Sequence, residues 1–290
     1  MNIEANPTGK GAPGIPGGVP ASELDLDPAA PPRPSLLFID DDAYMRRLMS
    51  VRLERLGARV ESLPSAQSAL VYLEDHRPDV IISDAVMPGM DGFELCRQIK
   101  ENPQLRTIPF VILTALTRDL RQRSIQAGAD DFLSKLEIEV VFRLRARLAL
   151  NLGVRLAASG GADAPAEPPK LLVVSAAKLI HTQLETHLQK DGIQVLGAAT
   201  PKEALALLQA GPADAMVLDL TLEPRAAVEW IEQVRGLPGC AALNIMALVS
   251  KEEEAGLGAL EPHLQDRLLK PLDGQESRHR VKYLMRVARS

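Results

Sequence analysis

The stretch LLFIDDD at residues 36–42 joins a short apolar run directly to three carboxylates. The runs VIIS at 80–83 and FVILT at 110–114 are also strand-length, apolar on both faces and bounded by polar residues or proline. Such runs are typical of parallel strands covered by helices on both sides. The sequence therefore predicts buried parallel strands, with shorter ones at 59–63 and 132–134.

Stretches of helical period separate these strands. The residues from Met45 to Leu56 predict a helix with one apolar face, on which Arg52 is the exception. Gly57 is predicted to end that helix. Residues 93–100 and 140–150 also have a helical pattern. A strand–helix alternation repeated five times predicts a doubly wound α/β domain with a five-stranded parallel sheet.

The second half of the chain repeats the first at an offset of 135 residues, as from Lys135 to Lys270. The motif DVIISD at 79–84 returns in register as DAMVLD at 214–219. Three further positions pair in the same way: Asp40 with Ser175, Asp84 with Asp219, and Thr114 with Val249. We therefore predict two doubly wound, flavodoxin-like, five-stranded parallel-sheet domains in tandem.

Composition predicts the domain boundaries. Residues 1–34 hold eight prolines and five glycines and are predicted to form a disordered tail. An Ala/Pro/Gly-rich linker is predicted at 156–168, which leaves domains at 35–155 and 169–290.

The overall composition excludes several classes of protein. A net charge of -5 gives no bulk attraction to nucleic acid, and no apolar run is long enough to insert in a membrane. The two cysteines have no zinc-site spacing, and the N-terminus lacks a secretory signal pattern. A cytoplasmic location is expected.

Polar residues end the predicted strands of the first domain. The carboxyl ends of parallel strands share one edge, so Asp40, Asp41, Asp84, Thr114 and Lys135 are expected to converge there. Clustered carboxylates repel one another unless a hard cation such as Mg²⁺ binds their oxygens. A carboxylate nucleophile, Mg²⁺, a hydroxyl and an ammonium are the groups needed to form an aspartyl phosphate. Asp42 is instead placed to cap the following helix.

The first domain resembles the receiver domain of bacterial two-component response regulators over its whole length. The resemblance is carried by LLFIDDD, by VIISDAVMPGMDG, by FVILTA and by AGADDFLSK, in that order and spacing. It implies that Asp84 is the phosphoacceptor and that Asp40, Asp41 and the backbone carbonyl of Val86 bind Mg²⁺ with it. It also implies that Thr114 and Lys135 contact the phosphoryl group, and that Phe132 is an aromatic switch.

Two departures from the family pattern bear on function. Leu136 stands where receivers usually have a proline after a cis bond; a cis bond there would cost about 3 kcal/mol, so we expect a trans or strained loop and a shifted Lys135. In the second domain, Ser175 and Ala176 replace the two acids and Val249 replaces the hydroxyl residue. We interpret that domain as a degenerate receiver in which Asp219 and Lys270 form a vestigial site or a simple ion pair.

The resemblance predicts a response regulator, not an enzyme beyond its own phosphorylation. About 20 residues follow Lys270, so no output domain is expected. Asp84 would take its phosphoryl group from a histidine kinase or phosphotransfer protein, and the signal would pass to a protein partner; dimerisation is left open. The alternatives are a constitutive, unphosphorylated adaptor and a haloacid-dehalogenase-type phosphohydrolase in which Asp40 is the nucleophile.

The arginines at positions 118, 121, 123, 143, 145 and 147 make two predicted helices basic. A solvated helix face is one interpretation, and a partner surface is the other. The five histidines show no metal spacing and are predicted to lie on the surface.

Overall fold

The computed structural model describes residues 33–114, 118–137, 139–159, 167–220 and 224–289. The predicted tail at 1–34 therefore lies outside the described residues, except for its last two positions. Residues 33–159 are called the first domain below, and residues 167–289 the second domain. No described helix combines the length and apolar character needed to cross a membrane.

The first domain contains one all-parallel sheet of five strands. The strands are β1 (Ser35–Ile39), β2 (Arg59–Leu63), β3 (Val80–Asp84), β4 (Phe110–Thr114) and β5 (Asp131–Ser134). The helices are α1 (Ala43–Glu54), α2 (Ala66–Asp75), α3 (Gly92–Glu101), α4 (Arg118–Gln126) and α5 (Glu139–Ser159). The strand order β2-β1-β3-β4-β5 reverses beside β1, which makes the domain doubly wound.

The second domain repeats this arrangement. Its strands are β6 (Lys170–Val174), β7 (Gln194–Ala198), β8 (Ala215–Asp219), β9 (Asn244–Val249) and β10 (Asp266–Leu269). Its α-helices are α6 (Lys178–Leu188), α7 (Pro201–Ala210), α8 (Pro224–Arg235) and α9 (Gly274–Arg289). The order β10-β9-β8-β6-β7 is the order of the first sheet, so the prediction of two tandem doubly wound domains is confirmed.

The two domains differ between their last two strands. The first domain has α4 there, whereas the second has short 3₁₀ helices at Glu253–Ala259 and Glu261–His263. Gly256 and Gly258 weaken a helix in this segment, and Pro262 removes a backbone donor.

The stretch that opened the sequence forms the centre of the first sheet. Leu36 to Ile39 are fully buried, and β1 pairs with β2 on one side and β3 on the other. Asp42 then caps α1, as predicted, because its side chain accepts a hydrogen bond of 2.9 Å from the Met45 N–H. Asp40 and Asp41 are thereby held at the point where the strand becomes a helix.

Helix α5 is buried on two sides. One face packs in the core of the first domain, through Phe142, Ala146, Ala149 and Leu150. The opposite face packs in the two clusters that form the core of the second domain, through Val140, Val141, Leu144, Leu148 and Leu152. The helix extends to Ser159, nine residues beyond the predicted end at Leu150 and into the predicted linker. This contact joins the two domains.

Candidate functional site

Three carboxylates meet at the carboxyl edge of the first sheet. Asp40, Asp41 and Asp84 each place an oxygen within 4.8 Å of the others. Asp40 is fully buried and Asp84 is 8% exposed, whereas Asp41 is open to solvent. Asp40 Oδ1 accepts a hydrogen bond of 2.9 Å from the Asp42 N–H, which fixes its side chain. The predicted convergence of these acids is present.

Asp84 is positioned by the start of α3. Its Oδ1 accepts a hydrogen bond of 2.8 Å from the Ala85 N–H. A Cβ added at Gly92 would lie 2.0 Å from the Asp84 carbonyl oxygen, so only glycine permits this close approach. Gly92 ends the motif MPGMDG but is not among the predicted site residues. Its role depends on a packing contact that sequence does not reveal.

Lys135 bridges two of the acids. Its Nζ lies 3.1 Å from Asp40 Oδ2 and 2.9 Å from Asp84 Oδ1. The ammonium therefore lies within the acidic cluster, with Leu136 as the next residue. The Lys135–Leu136 bond is not among the cis bonds of the described residues, which agrees with the trans alternative. Leu136 itself is 80% exposed.

The electrostatics of Asp84 and Lys135 are coupled. Burial raises the pKa of Asp84 and the charge of Asp40 adds to this effect, while Lys135 opposes it. Burial disfavours the Lys135 charge, but hydrogen bonds and attraction to Asp84 and Asp40 outweigh burial and raise its pKa. The lysine therefore stays cationic beside two carboxylates.

Thr114 and Val86 complete the predicted set. The Thr114 side chain is 2% exposed, and its Oγ1 has no hydrogen-bond partner among the described residues. A buried hydroxyl without a partner carries a desolvation cost, which a bound acceptor would remove. Val86 lies two residues after Asp84 and is 64% exposed.

The donor set of this cluster suits a hard cation. All three acidic residues offer oxygen ligands, which Mg²⁺ prefers, and none offers sulfur or imidazole. The residues therefore fit a magnesium ion. The unpartnered Thr114 hydroxyl and the Lys135 ammonium add donors for an anionic oxygen group.

The corresponding pocket in the second domain is closed by its own side chains. Ser175 Oγ donates a hydrogen bond of 2.6 Å to Asp219 Oδ2, and Lys270 Nζ lies 2.9 Å from Asp219 Oδ1. Lys270 also lies 3.1 Å from Glu253. The ion pair considered in the sequence analysis is present, and both Asp219 oxygens have partners within the domain.

Phe132 is buried against helix α9 of the second domain. It is 1% exposed, its ring centroid is 5.3 Å from that of His279, and the Arg280 guanidinium lies 4.2 Å from it. Arg280 Nη2 also donates to the Phe132 carbonyl oxygen at 2.9 Å. The prediction of a surface position holds only in part for His279, whose side chain is 15% exposed because Phe132 of the other domain packs against it.

Buried charged groups from both domains lie next to this contact. The carboxylates of Asp131, Glu137 and Asp266 face the guanidinium groups of Arg145, Arg267 and Arg280, and the set is called the charge cluster below. Arg145 Nε lies 2.8 Å from Asp266 Oδ1, while Arg280 contacts Asp131. Arg267 also pairs with the buried Glu254, whose Oε1 lies 2.7 Å from its Nε, so each guanidinium of the cluster has a carboxylate partner. The basic helix face of the first domain is therefore largely an intramolecular contact surface.

We expect His279 to make the folding stability of the protein depend on pH. Burial and the charge of Arg280 lower its pKa to about 4, while Asp130 and Asp131 on the first domain and Lys282 on α9 also face it. A histidine in an unfolded chain has a pKa of about 6.5. Between pH 4 and pH 6.5 the unfolded state therefore binds more protons than the folded state. The stability given by the neutral ring is complete above about pH 6.5 and is lost as the pH falls towards 4.

The measurement is the thermal unfolding midpoint of the wild type and of His279→Phe at decreasing pH, starting at about pH 7.5. Phenylalanine keeps an aromatic ring at this position but cannot bind a proton. We expect the wild type to lose more stability over this interval, by up to about 3 kcal/mol from the size of the shift. Parallel pH profiles would contradict the assignment to His279.

One protein-family model matches this chain at two places. The model described as "Response regulator receiver domain" matches residues 36–143 and 171–282, together more than half of the chain. Response regulator PleD of Caulobacter vibrioides is 27% identical over 264 residues, which cover 85% of this chain and 58% of PleD. Transcriptional regulatory protein AfsQ1 of Streptomyces coelicolor is 39% identical over 123 residues, covering 42% of this chain and 53% of AfsQ1. The chain thus spans little more than half the length of these relatives.

The chain is also similar to solved structures of receiver proteins. A signal receiver domain of a histidine kinase from Syntrophus aciditrophicus is 34% identical, covers 46% of this chain and 96% of that chain, and has a TM-score of 0.39. A putative two-component response regulator/GGDEF domain protein is 21% identical, covers 89% of this chain and all of that chain, and has a TM-score of 0.39.

Proposed function

Because this chain belongs to the response regulator receiver family, we propose that its first domain accepts a phosphoryl group on Asp84. The observation that carries the proposal is the position of Lys135, whose ammonium contacts both Asp84 and Asp40 in a cluster of three carboxylates. This arrangement provides a nucleophile and a fixed positive charge at the same place.

The reaction would be nucleophilic substitution at phosphorus. An Asp84 carboxylate oxygen forms the new P–O bond, and the P–N bond to a phosphohistidine of a histidine kinase or phosphotransfer protein breaks. The Ala85 N–H holds Asp84 Oδ1 in place for this attack. The leaving imidazole accepts a proton from solvent.

Thr114 and Lys135 would stabilise the charge on the transferred group. The Lys135 ammonium neutralises one oxygen, and the unpartnered Thr114 hydroxyl donates a hydrogen bond to another. Asp40, Asp41, Asp84 and the Val86 carbonyl would hold Mg²⁺, which when bound would neutralise charge on the phosphoryl oxygens. Phe132 would then respond to movement of Thr114 as the aromatic switch.

The second domain would take no phosphoryl group. Ser175 and Ala176 replace the two acids that would hold Mg²⁺, and Ser175 Oγ donates to the Asp219 oxygen that Lys270 leaves free. Val249 offers no hydroxyl. The domain would instead act through its contact with the first domain, and the signal would reach a downstream protein partner by protein–protein contact.

Labelling with a small-molecule phosphoryl donor tests the proposal. We expect Mg²⁺-dependent incorporation of one phosphoryl group per chain, detected by intact-protein mass spectrometry, because Asp84 lies beside the Lys135 ammonium and the unpartnered Thr114 hydroxyl. Asp84→Asn should lose the label, and Asp219→Asn, the matched change in the second domain, should keep it.

The alternatives give different results in this experiment. Label on Asp40 that persists in Asp84→Asn would favour a haloacid-dehalogenase-type phosphohydrolase. No label in either the wild type or Asp219→Asn would favour a constitutive adaptor and refute the proposal.

A further inference from the structure

A cavity of about 430 Å³ lies between the two domains, and its described lining residues are not those of the charge cluster. One wall is the end of α4 with the loop that follows, at positions 125, 129 and 130. The other wall is one face of α9, where positions 275, 278, 279, 282, 283 and 286 recur at helical spacing. Sites for small molecules have volumes of about 300–1,000 Å³, so the cavity is large enough to hold one.

The internal repeat shows which group this cavity lacks. On the other side of the domain contact, Arg143 and Arg147 of α5 both pair with Glu261 of the second domain. The repeat offset relates α5 to α9 and relates Glu261 to Gln126, which carries no charge. The first domain therefore has an amide at the position where the second domain has a carboxylate.

Arg278 and Lys282 are the α9 counterparts of this basic pair, and both line the cavity. They share one carboxylate of their own domain, since Arg278 Nε lies 2.6 Å from Asp191 Oδ2 and Lys282 Nζ lies 3.1 Å from Asp191 Oδ1. Their side chains are 45% and 52% exposed, so the cavity is open to solvent on this side. Two cations of the cavity wall thus have one carboxylate between them.

The charges around Asp130 are also unequal. This carboxylate is shared by Arg286, which lines the cavity, and by Lys100. Together with the basic pair of α9 and its aspartate, four cations and two carboxylates surround the cavity. An excess of positive charge in a partly enclosed site attracts anions, and the guanidinium group of arginine matches the geometry of phosphate.

The buried walls of the cavity are apolar. Ala129 stands where the second domain has Leu264, which is 4% exposed and packs in the core there, so the smaller side chain leaves room. Ile125 and Tyr283 line the same space. Tyr283 is 4% exposed, and its hydroxyl has no hydrogen-bond partner in the part of the chain that the structure describes. A bound ligand would supply that partner.

We propose that this cavity binds a small aromatic molecule that carries a phosphate group. The phosphate occupies the place of the missing carboxylate, where Arg278 and Lys282 bind it, and its charge of about -2 matches the local excess of positive charge. The aromatic ring lies against Ile125, Ala129 and Tyr283. The proposal concerns a ligand site and does not depend on the phosphoacceptor function proposed above.

Phenyl phosphate is the probe for this site, because it carries both the ring and the phosphate. Its affinity is measured by isothermal titration calorimetry on the full chain without Mg²⁺, so that the carboxylate cluster around Asp84 holds no metal. Inorganic phosphate and phenol are titrated in parallel. We expect each of them to bind roughly tenfold more weakly or worse, because each makes only one of the two sets of contacts.

Two variants fill the proposed site in different ways. Gln126→Glu supplies the carboxylate that Glu261 supplies in the second domain, and Ala129→Leu introduces the side chain found at position 264. We expect either change to weaken the binding of phenyl phosphate roughly tenfold or more. Gln209→Glu is the matched control, since it adds the same charge at an exposed position of α7, and it should bind as the wild type does.

Two results would overturn the proposal. A wild-type chain that binds phenyl phosphate no more tightly than inorganic phosphate or phenol would refute the proposed class of ligand. An unchanged affinity in Gln126→Glu would show that Arg278 and Lys282 do not hold the phosphate. Because Gln126 is exposed, the fold should persist in that variant even where Ala129→Leu strains the core.

Discussion

Replacing Arg145 by alanine should cost about 3–5 kcal/mol of folding free energy, since it removes the nearest counter-charge of two buried carboxylates. The Arg145 side chain is 1% exposed, and its partners Glu137 and Asp266 are 5% and 0% exposed. Neither carboxylate can turn to solvent, so the lost attraction is not recovered from hydration. Chemical denaturation with a probe in each domain would measure the loss.

Arg147→Ala is the matched control for this measurement. Arg147 lies one helical turn from Arg143 on the same helix and pairs with Glu261, but its side chain is 47% exposed. Exposed pairs contribute about 1 kcal/mol or less. If the two alanine variants lost equal stability, the charge cluster would not be the source of the Arg145 effect.

Replacing Lys135 by alanine should slow phosphorylation of Asp84 by roughly 10²–10³-fold, the typical effect of removing one preorganised electrostatic donor. The variant loses the positive charge that contacts Asp84 and Asp40. The measured quantity is the rate of label incorporation from a small-molecule donor at saturating Mg²⁺. Because Lys135 is part-exposed, the fold itself should persist.

Lys270→Ala provides the control, since it removes the corresponding lysine of the second domain. That lysine pairs with Asp219 and Glu253, away from Asp84. We expect its labelling rate to equal that of the wild type. A Lys135→Ala protein that labels at the normal rate would argue against a role for this ammonium in the transfer.

The sequence predicted the fold because the signals that define it are local. Apolar runs such as VIIS, the cap at Asp42 and the repeat offset depend on neighbouring residues or on a constant spacing. The carboxylate cluster was also predictable, because the ends of parallel strands share one edge of the sheet.

The features that sequence reasoning missed depend on contacts between distant residues. Gly92 matters only because α3 approaches the Asp84 backbone. His279 and Arg280 belong to no sequence motif. They nevertheless pack against Phe132, which lies 147 and 148 positions earlier in the sequence. The arginines of α5 predict a basic surface, but a charge pattern does not identify the partner of that surface.

Helix α5 has a consequence for how the molecule unfolds. It completes the core of the first domain through Phe142 and Ala146, and that of the second through Leu144 and Leu148. Contacts within residues 33–290 accordingly form one compact unit. Melting of either half would uncover apolar surface on the other, so we expect the two sheets to unfold together although the repeat boundary lies between them.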